Sequence, residues 1–501
     1  MLERKCPSAA RSAVLAFSVI VATACSEGST PPGASEQAGG VSGIGGASPS
    51  GGQAAGAASS ANGGSPASGG STSPQGGATG SNSSGGGNAN GGFAGGTGGT
   101  PQGGSLATGG TESVGGNAAG GTGAGGSASG GTASGGASAT GGNAATGGAS
   151  GSSPDPFVPG VAPAAARYFK KGINLGNRLE APNEGDWGGS ILATDFPFIA
   201  RRGFDHVRIP IRFSGHALAD APYTIDAAFF ARVDTVLDQA TQANLAVVID
   251  LHAYDDLAAN VAAHRPRFLS LWTQIATRYQ NRPDTVAFEL LNEPYSQLDT
   301  SWNELSAAAI QVVRATNPRR LLVVDAVYWA DPSKLSVLTL PNDANILVAI
   351  HLYEPKLFSF QGKDWMGPEF MTTGVIFPGP PSSPVTPVAA ASSADWARTW
   401  FDNYNSLPAA TNPSGPATIT AQMAYLTAYR NSSGRSVYNG EWGPQDGGAM
   451  DSRARLVTLV RQECERAGVG WAIWEDPNNM KLFDSTANTW VTQIADALLP
   501  P

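Results

Sequence analysis

From residue 156 onward, this chain of 501 residues alternates eight short apolar runs with longer stretches of helical periodicity. The alternation favours a parallel sheet of βα units, because a helix must carry the chain back between neighbouring parallel strands. The predicted strands are residues 172–175, 206–209, 246–249, 286–288, 321–324, 346–350, 437–438 and 471–473. Eight units in about 340 residues predict an α/β fold, a (β/α)8 TIM barrel. A doubly wound open sheet is the alternative, although no Gly-rich phosphate motif follows the first strand.

The segment ahead of this domain has a very different composition. Within residues 37–154 the only charged residue is Glu112 and the only aromatic residue is Phe93, whereas all eleven Trp and all eleven Tyr come later. Such a segment cannot bury enough apolar surface to offset its ordering entropy. We therefore expect residues 26–155 to form a disordered Gly-, Ser- and Ala-rich linker, followed by one large folded domain over residues 156–501.

The first 25 residues are typical of an export signal. Basic residues precede an apolar run over residues 13–22 that is short for a membrane span, and small residues then lead to Cys25. This ending resembles the box in which bacterial lipoproteins are lipidated on cysteine. Ala22 departs from the Leu or Val usual in that box, so ordinary signal cleavage stays open. We expect an exported protein, anchored at the outer cell surface through Cys25 as a lipoprotein, or else secreted.

Composition narrows the partners of the domain. A net charge of −9 without clustered Lys or Arg argues against nucleic acid, and contact with a membrane is expected only through the lipid anchor. The five histidines show neither His-x-His nor His-Glu-x-x-His spacing, so we predict no metal and no cofactor. Cys464 is the one cysteine left outside the signal and the anchor, and no intramolecular disulfide is expected. We expect a monomer.

Polar side chains recur at the carboxyl ends of the predicted strands, where the active residues of a barrel gather. They are Arg208, His252, Asn292, Glu293, His351, Tyr353, Glu441 and Trp474. A carboxyl at the mouth of a buried sheet is costly unless it is paired or used, so Glu293 and Glu441 suggest an acid and base pair. Taken singly, an Arg, His or Trp at such a position also fits a structural role. We interpret Glu289, which lies on the fourth strand itself, as a structural partner.

Together these motifs resemble glycoside hydrolase family 5, cellulase family A, in the retaining clan A of (β/α)8 glycosidases. The matching motifs follow one another at strand spacing, at residues 171–177, 207–210, 251–252, 291–294, 351–353, 440–443 and 474–475. The resemblance implies that residues 156–501 form a glycoside hydrolase catalytic domain. It further implies that Glu293 is the general acid/base and Glu441 the nucleophile of a double displacement that retains anomeric configuration.

The resemblance also implies supporting roles for the other polar residues. Arg208 and Tyr353 would hold Glu441 ionised and aimed, because a hydrogen-bonded carboxylate beside a cation keeps its charge. Asn292 would bond the sugar 2-hydroxyl. The remaining three residues would line the −1 subsite, with Trp474 as its stacking floor beside His252 and His351.

The substrate implied by the resemblance is a β-1,4-linked polysaccharide, and the chain most resembles endo-β-1,4-glucanases (cellulases). A β-mannanase, a xyloglucanase or a mixed-linkage glucanase of the same family stays open, as does a non-catalytic carbohydrate-binding barrel. The long connection over residues 353–436 predicts a wall of the binding cleft. For four tryptophans, sugar stacking and core packing both stay open: Trp187, Trp329, Trp365 and Trp442.

Overall fold

The computed structural model describes residues 154–252 and 254–501, and the predicted signal, Cys25 and the linker up to residue 153 lie outside the described residues. Eight parallel strands close into a barrel in chain order, which confirms the (β/α)8 prediction and excludes an open sheet. The strands are β1 Lys171–Asn174, β2 His206–Ile209, β3 Ala246–Asp250, β4 Val286–Glu289, β5 Leu322–Asp325, β6 Ile346–Leu352, β7 Val437–Trp442 and β8 Gly470–Ile473.

Helices surround the barrel and follow its strands. They are α1 Asp195–Arg202, α2 Ala227–Gln242, α3 Asp255–Ala259, α4 Val261–Tyr279, α5 Leu298–Arg314, the single turn α6 Val327–Ala330, α7 Lys356–Ser359, α8 Ala389–Ser393, α9 Asp395–Ser406, α10 Pro416–Ser433, α11 Met450–Arg466 and α12 Thr492–Leu498. A short hairpin, β9 Phe483–Asp484 and β10 Thr489–Trp490, precedes α12. No helix in the described ranges is long and apolar enough to cross a bilayer.

Local sequence explains where the longer helices begin. The Asp226 carboxylate accepts the backbone N–H of Phe229 (2.9 Å) at the start of α2. The Asn260 side chain does the same for Ala263 (3.1 Å) at the start of α4. Each cap satisfies a backbone donor that the first helical turn leaves unpaired. The apolar stripes of these helices then pack on the outward-facing side chains of the strands, such as Val247 and Ile249.

The interior of the barrel consists of two layers with different chemistry. The lower layer comprises the apolar side chains Val248, Ala287, Val323, Leu347, Ala349 and Tyr438, all buried in one cluster. Two positions further along the strands, on the same inward face, lies the upper layer: Arg208, Asp250, Glu289, Asp325 and His351. The polar layer is therefore at the carboxyl ends of the strands, where a barrel carries its site.

The connection between β6 and β7 is folded rather than loose. It contains the helices α7 to α10, of which α9 and α10 are the longest. Buried Gln361 accepts the N–H of Val375 (3.1 Å) and donates to its carbonyl (3.0 Å). Lys363 Nζ contacts Asp446 (2.5 Å) and Asn479 (3.0 Å), which ties this connection to the barrel mouth.

Candidate active site

Arg208 lies fully buried at the centre of the upper layer. Its guanidinium pairs with Asp250 (Nη2 to Oδ2, 2.5 Å), Glu289 (Nη2 to Oε1, 2.6 Å) and Glu441 (Nη1 to Oε1, 2.7 Å). Although burial opposes the charge, these three carboxylates raise the pKa of Arg208 well above its ordinary value. Both Glu289 oxygens accept from Arg208, so Glu289 is the structural partner that its place on the strand indicates.

Two amides complete the surroundings of Arg208. Asn174 Oδ1 accepts from Nη1 (2.9 Å), while its Nδ2 donates to the carbonyl of Gly440 (2.9 Å), beside Glu441. Asn292 Oδ1 accepts from Nη2 (2.9 Å). Because Arg208 occupies the carbonyl oxygen of Asn292, the amide nitrogen is left to donate toward the cleft that Asn292 lines.

Glu441, on β7, is held by two donors. Arg208 donates to Oε1, and the Tyr353 hydroxyl donates to Oε2 (3.1 Å). Burial raises the pKa of Tyr353 well above its ordinary value, so the phenol keeps its proton and remains a donor. The carboxylate is thereby fixed in orientation with both oxygens engaged, which suits a group that must attack in one direction.

Glu293 lies four residues beyond the end of β4, in a left-handed backbone conformation with φ of 48°. Its N–H donates to Asp325 Oδ2 (3.0 Å), and its Oε1 lies 2.8 Å from His351 Nδ1. Burial raises the pKa of Glu293 to about 7. A carboxyl with this pKa keeps its proton near neutrality, as a general acid requires.

The two glutamates are close together at the mouth of the barrel. Single oxygens of Glu293 and Glu441 and a ring nitrogen of His351 all lie within 4.8 Å of one another. Retaining glycosidases hold their two carboxyl groups about 5 to 5.5 Å apart, whereas inverting enzymes leave room for a water between them. An upper limit of 4.8 Å between two of their oxygens agrees with the shorter separation, that of retaining enzymes.

The two histidines of the site differ in charge. Although burial lowers it, the pKa of His252 is raised to about 9, chiefly because Asp250 Oδ2 lies 3.2 Å from Nδ1. Burial lowers the pKa of His351 to about 4. His252 is therefore a cation and His351 a neutral imidazole at pH 7.

Trp474 is held from two sides. Its Nε1 donates to Asp476 Oδ2 (3.1 Å), and the other oxygen of Asp476 accepts the backbone N–H groups of Asn478 (2.9 Å) and Asn479 (2.8 Å). Behind the ring, a Cβ on Gly176 would lie 2.2 Å from the indole, so only glycine fits there. The indole is thus presented to the cleft in one orientation.

A cleft of about 700 Å³ joins these residues. The structure brings seven of the eight predicted site residues to its wall and places the eighth, Arg208, beneath it: the lining residues are His252, Asn292, Glu293, His351, Tyr353, Glu441 and Trp474. Phe360, Trp365 and Met366 from the connection between β6 and β7 form another part of the wall, in agreement with the expectation for that segment.

The four tryptophans whose place was open divide between cleft and core. Trp187, Trp329 and Trp365 line the cleft. Trp442 is fully buried and packs edge-on against Trp471, with ring centroids 5.5 Å apart, so sugar stacking is wrong for this residue. Its neighbour Glu441 faces inward, and the alternation of a strand turns Trp442 outward.

Four polar residues of the site are not among the residues predicted from the sequence. Asn174, Asp250, Asp325 and Asp476 are all buried, and each contacts a predicted site residue. The first three end their strands, so a list of every polar strand end would have found them. Asp476 carries no comparable signal, because it lies in the loop after β8.

Two groups in the described part of the chain could in principle hold a metal ion: Glu293, His351 and Glu441, and Glu289, Asp325 and His351. Arg208 already pairs with Glu289 and Glu441, and His351 contacts Glu293. Hydrogen bonding therefore accounts for most of these ligand atoms.

Comparison with known proteins assigns the family. The family model described as cellulase (glycosyl hydrolase family 5) matches residues 170–479. The fold and the carboxyl pair define a (β/α)8 hydrolase, and this match makes the family explicit. The chain belongs to glycosyl hydrolase family 5.

Individual relatives agree. Endoglucanase H of Acetivibrio thermocellus is 26% identical over 344 residues, 67% of this chain and 33% of that protein. The chain thus spans a third of this curated relative, and 49% of Endoglucanase B of Clostridium cellulovorans is matched. Thermotoga maritima Cel5A in complex with cellobiose is 33% identical, with a TM-score of 0.59 over 67% of this chain and 98% of that one. Its complex with mannotriose has a TM-score of 0.57 at 33% identity and the same coverage.

Proposed function

We propose that this chain is a retaining endo-β-1,4-glucanase in which Glu293 is the acid/base and Glu441 the nucleophile. The observation that carries the proposal is the contrast between two carboxyls within 4.8 Å of each other. Burial keeps Glu293 protonated to about pH 7, whereas Arg208 and Tyr353 donate to both oxygens of Glu441. One proton donor and one oriented carboxylate at this spacing are what double displacement needs.

The reaction proceeds in two steps. In the first, a Glu441 oxygen attacks the anomeric carbon while Glu293 gives its proton to the departing glycosidic oxygen, and a glycosyl ester forms on Glu441. In the second, the Glu293 carboxylate takes a proton from water, whose oxygen attacks the same carbon and releases Glu441. Two inversions at one carbon retain its configuration.

The surrounding residues bind and orient the sugar. The amide nitrogen of Asn292 donates to the 2-hydroxyl, a contact that strengthens as positive charge develops on the ring. Trp474 stacks beneath the apolar face of the sugar in the −1 subsite. His252 and His351 line the same subsite, and the positive charge of His252 favours polar sugar hydroxyls over apolar groups.

A β-1,4-glucan is the substrate that the relatives support best, because they are named endoglucanases and a solved relative binds cellobiose. The mannotriose complex of that relative makes β-mannan the second candidate. The volume of the cleft, about 700 Å³, exceeds the space that one sugar ring fills, which suits a substrate of several sugar units.

A hydrolysis screen of the purified full-length chain tests this proposal. We expect reducing ends from carboxymethyl cellulose and mixed-linkage glucan, with oligomers rather than only cellobiose at early times. Turnover of mannan or xyloglucan at a higher kcat/KM would change the substrate assignment. Binding to glucan without release of reducing ends would instead support a non-catalytic carbohydrate-binding barrel.

For the remainder of the chain we propose export, lipidation of Cys25 and display of the catalytic domain on the linker, which would have a root-mean-square reach of roughly 55 to 65 Å. The support is the sequence of residues 1–25 and the composition that follows. Incorporation of labelled palmitate into the wild type but not into Cys25→Ser is expected. Equal incorporation in both, or none in either, would contradict the anchor.

We also propose a monomer, which light scattering of the purified chain tests directly.

A further inference from the structure

Asp325 is a buried carboxyl that the reaction described above does not use. It ends β5, is fully buried, and lies beside the acid/base and its histidine. Its Oδ2 accepts the N–H of Glu293 (3.0 Å) and lies 3.7 Å from His351 Nε2. This single side chain therefore contacts both partners of the Glu293–His351 hydrogen bond.

The surroundings of Asp325 oppose a negative charge. No Lys or Arg nitrogen of the described residues lies within 4 Å of it, although one of its oxygens is within 4.8 Å of Glu289. Glu289 is paired with a cation, since both of its oxygens accept from Arg208. Two carboxylates this close cannot both ionise cheaply, and the one without a cation keeps its proton. Burial and Glu289 together raise the pKa of Asp325 well above its ordinary value.

Two buried polar atoms without a hydrogen-bond partner indicate that Asp325 carries a proton. Among the described residues, neither His351 Nε2 nor Asp325 Oδ1 has a hydrogen-bond partner. Buried polar atoms are rarely left unpaired, and a carboxylic acid and a bare imidazole nitrogen satisfy each other. Asp325 Oδ2 and His351 Nε2 are 3.7 Å apart, so a hydrogen bond between the two groups requires them to move closer.

We propose that Asp325 is a positioning residue that donates its proton to Nε2 of His351 and so fixes the imidazole with its single proton on Nδ1. His351 then donates to Oε1 of Glu293 and leaves Oε2 as the oxygen that exchanges the catalytic proton. The same donation serves both steps, because Oε1 accepts whether Glu293 is protonated or ionised. The proposal rests on Glu293 as acid/base in the function proposed above.

Five other charged groups face Asp325 and His351, and substitution of Asp325 leaves all five in place. They are Arg208, Asp250, Glu289, Glu441 and His252, from β2, β3, β4 and β7 and the loop after β3. Nδ1 of His351 also lies 3.6 Å from Glu441 Oε2, so a proton on Nδ1 faces both catalytic carboxyls. A proton on Nε2 instead would leave the Nδ1 lone pair facing Glu441 Oε2, which is itself an acceptor from Tyr353.

Two substitutions of Asp325 distinguish whether the side chain acts as a hydrogen-bond donor or as a negative charge. Asp325→Asn keeps an N–H donor for Nε2 and an oxygen for the Glu293 N–H, so kcat should fall less than about fivefold and the pH profile should keep its shape. Asp325→Leu, which has a similar shape but neither a donor for Nε2 nor an acceptor for the Glu293 N–H, should lose about 10²-fold in kcat with little change in KM. Its alkaline limb should move up by about one pH unit, because Nδ1 can then accept the proton of Glu293 and favour its neutral form.

Equal losses in the two variants would overturn the proposal, since the negative charge would then be what matters; so would an unchanged Asp325→Leu enzyme. Because Asp325→Leu can fail to fold, ¹⁵N spectra of histidine-labelled wild type provide a second test. The signal pair missing in His351→Gln belongs to His351, and we expect Nδ1 protonated and Nε2 bare. The opposite tautomer contradicts the proposal. This readout needs no substrate, so it stands even if the wild type hydrolyses no glucan, a result that would defeat the proposed function alone.

Discussion

The two layers inside the barrel are built on the same strands and have opposite roles. The paired positions are Val248 and Asp250, Ala287 and Glu289, Val323 and Asp325, and Ala349 and His351. In the lower layer, buried apolar area stabilises the fold. In the upper layer, burial of charges costs stability, and the same burial orients and tunes the groups that face the substrate. A shift of two residues along a strand therefore moves a side chain from the apolar core into the polar network around the site.

The largest expected effect is on turnover, in the upper layer. Glu441→Ala should lower kcat by at least about 10⁴-fold, because the covalent step loses its nucleophile. The midpoint of thermal unfolding should change little, since Arg208 keeps Asp250 and Glu289 as partners. Added azide should restore turnover and yield a glycosyl azide of inverted configuration. Full activity without azide would remove Glu441 from the mechanism.

The largest effect on stability should come from removing Arg208, the cation with which three carboxylates of the upper layer pair. Arg208→Met leaves three buried carboxylates without their common partner and should lower the free energy of unfolding by about 3 to 5 kcal/mol. The matched control is Arg398→Met, which breaks an exposed pair with Asp395 and should cost less than about 0.5 kcal/mol. Similar losses in urea unfolding for both variants would show that the buried pairs contribute no more than a surface pair.

A substitution in the lower layer should reduce stability and leave turnover nearly unchanged. Leu347 lies on β6, four residues before His351 and on the same face. Leu347→Ala should lower the free energy of unfolding by about 2 to 4 kcal/mol through lost contacts and a cavity. At a temperature where the variant is folded, kcat and KM should stay near the wild-type values. A large loss of kcat in the folded variant would mean that the layers are not separable.

The free energy of unfolding should depend on pH because the pKa of Glu293 is raised in the folded chain. The pKa of Glu293 is about 7 in the folded chain against an ordinary 4.5. The stability from this raised pKa is present below 4.5 and is lost as the pH rises through 7. Glu293→Gln cannot ionise, so it should unfold with on the order of 2 kcal/mol more free energy than the wild type at pH 8, and with no difference near pH 4. An equal difference at both pH values would argue against a raised pKa.

The smallest effect should come from the support of Trp474. Asp476→Ala removes the acceptor of the indole N–H and should raise KM by about five- to tenfold, near 1 kcal/mol, with kcat less affected. Initial rates on a soluble glucan measure both constants. A change in kcat alone would mean that the indole acts in the chemical step rather than in binding.

Periodicity was enough to predict the barrel, and its strand limits agree within a residue or two except at β7. That strand runs from Val437 to Trp442, whereas the apolar pattern predicts only residues 437–438. Asn439, Gly440 and Glu441 interrupt the pattern because they serve the site and not the core. The sequence is thus least informative about structure where function replaces apolar residues.

The predicted site residues meet at one cleft, but their charge states depend on contacts between strands. Asp250 and Asp325 end β3 and β5 in the same way, yet Arg208 lowers the pKa of Asp250 against the effect of burial, whereas the pKa of Asp325 is raised. Asp250 pairs with Arg208 and lies beside His252, whereas Asp325 lies beside the carboxylate of Glu289. Only the closed barrel shows which carboxyl Arg208 reaches.

The most direct test of the account is to trap the glycosyl-enzyme. A 2-deoxy-2-fluoro cellobioside with a good leaving group slows the second step more than the first, because fluorine destabilises positive charge on the sugar ring. Mass spectrometry of the digested full-length protein should then locate one added fluorosugar on the peptide that carries Glu441. A label on another residue, or turnover of natural glucan with inverted configuration and no adduct, would contradict double displacement by Glu441 and Glu293.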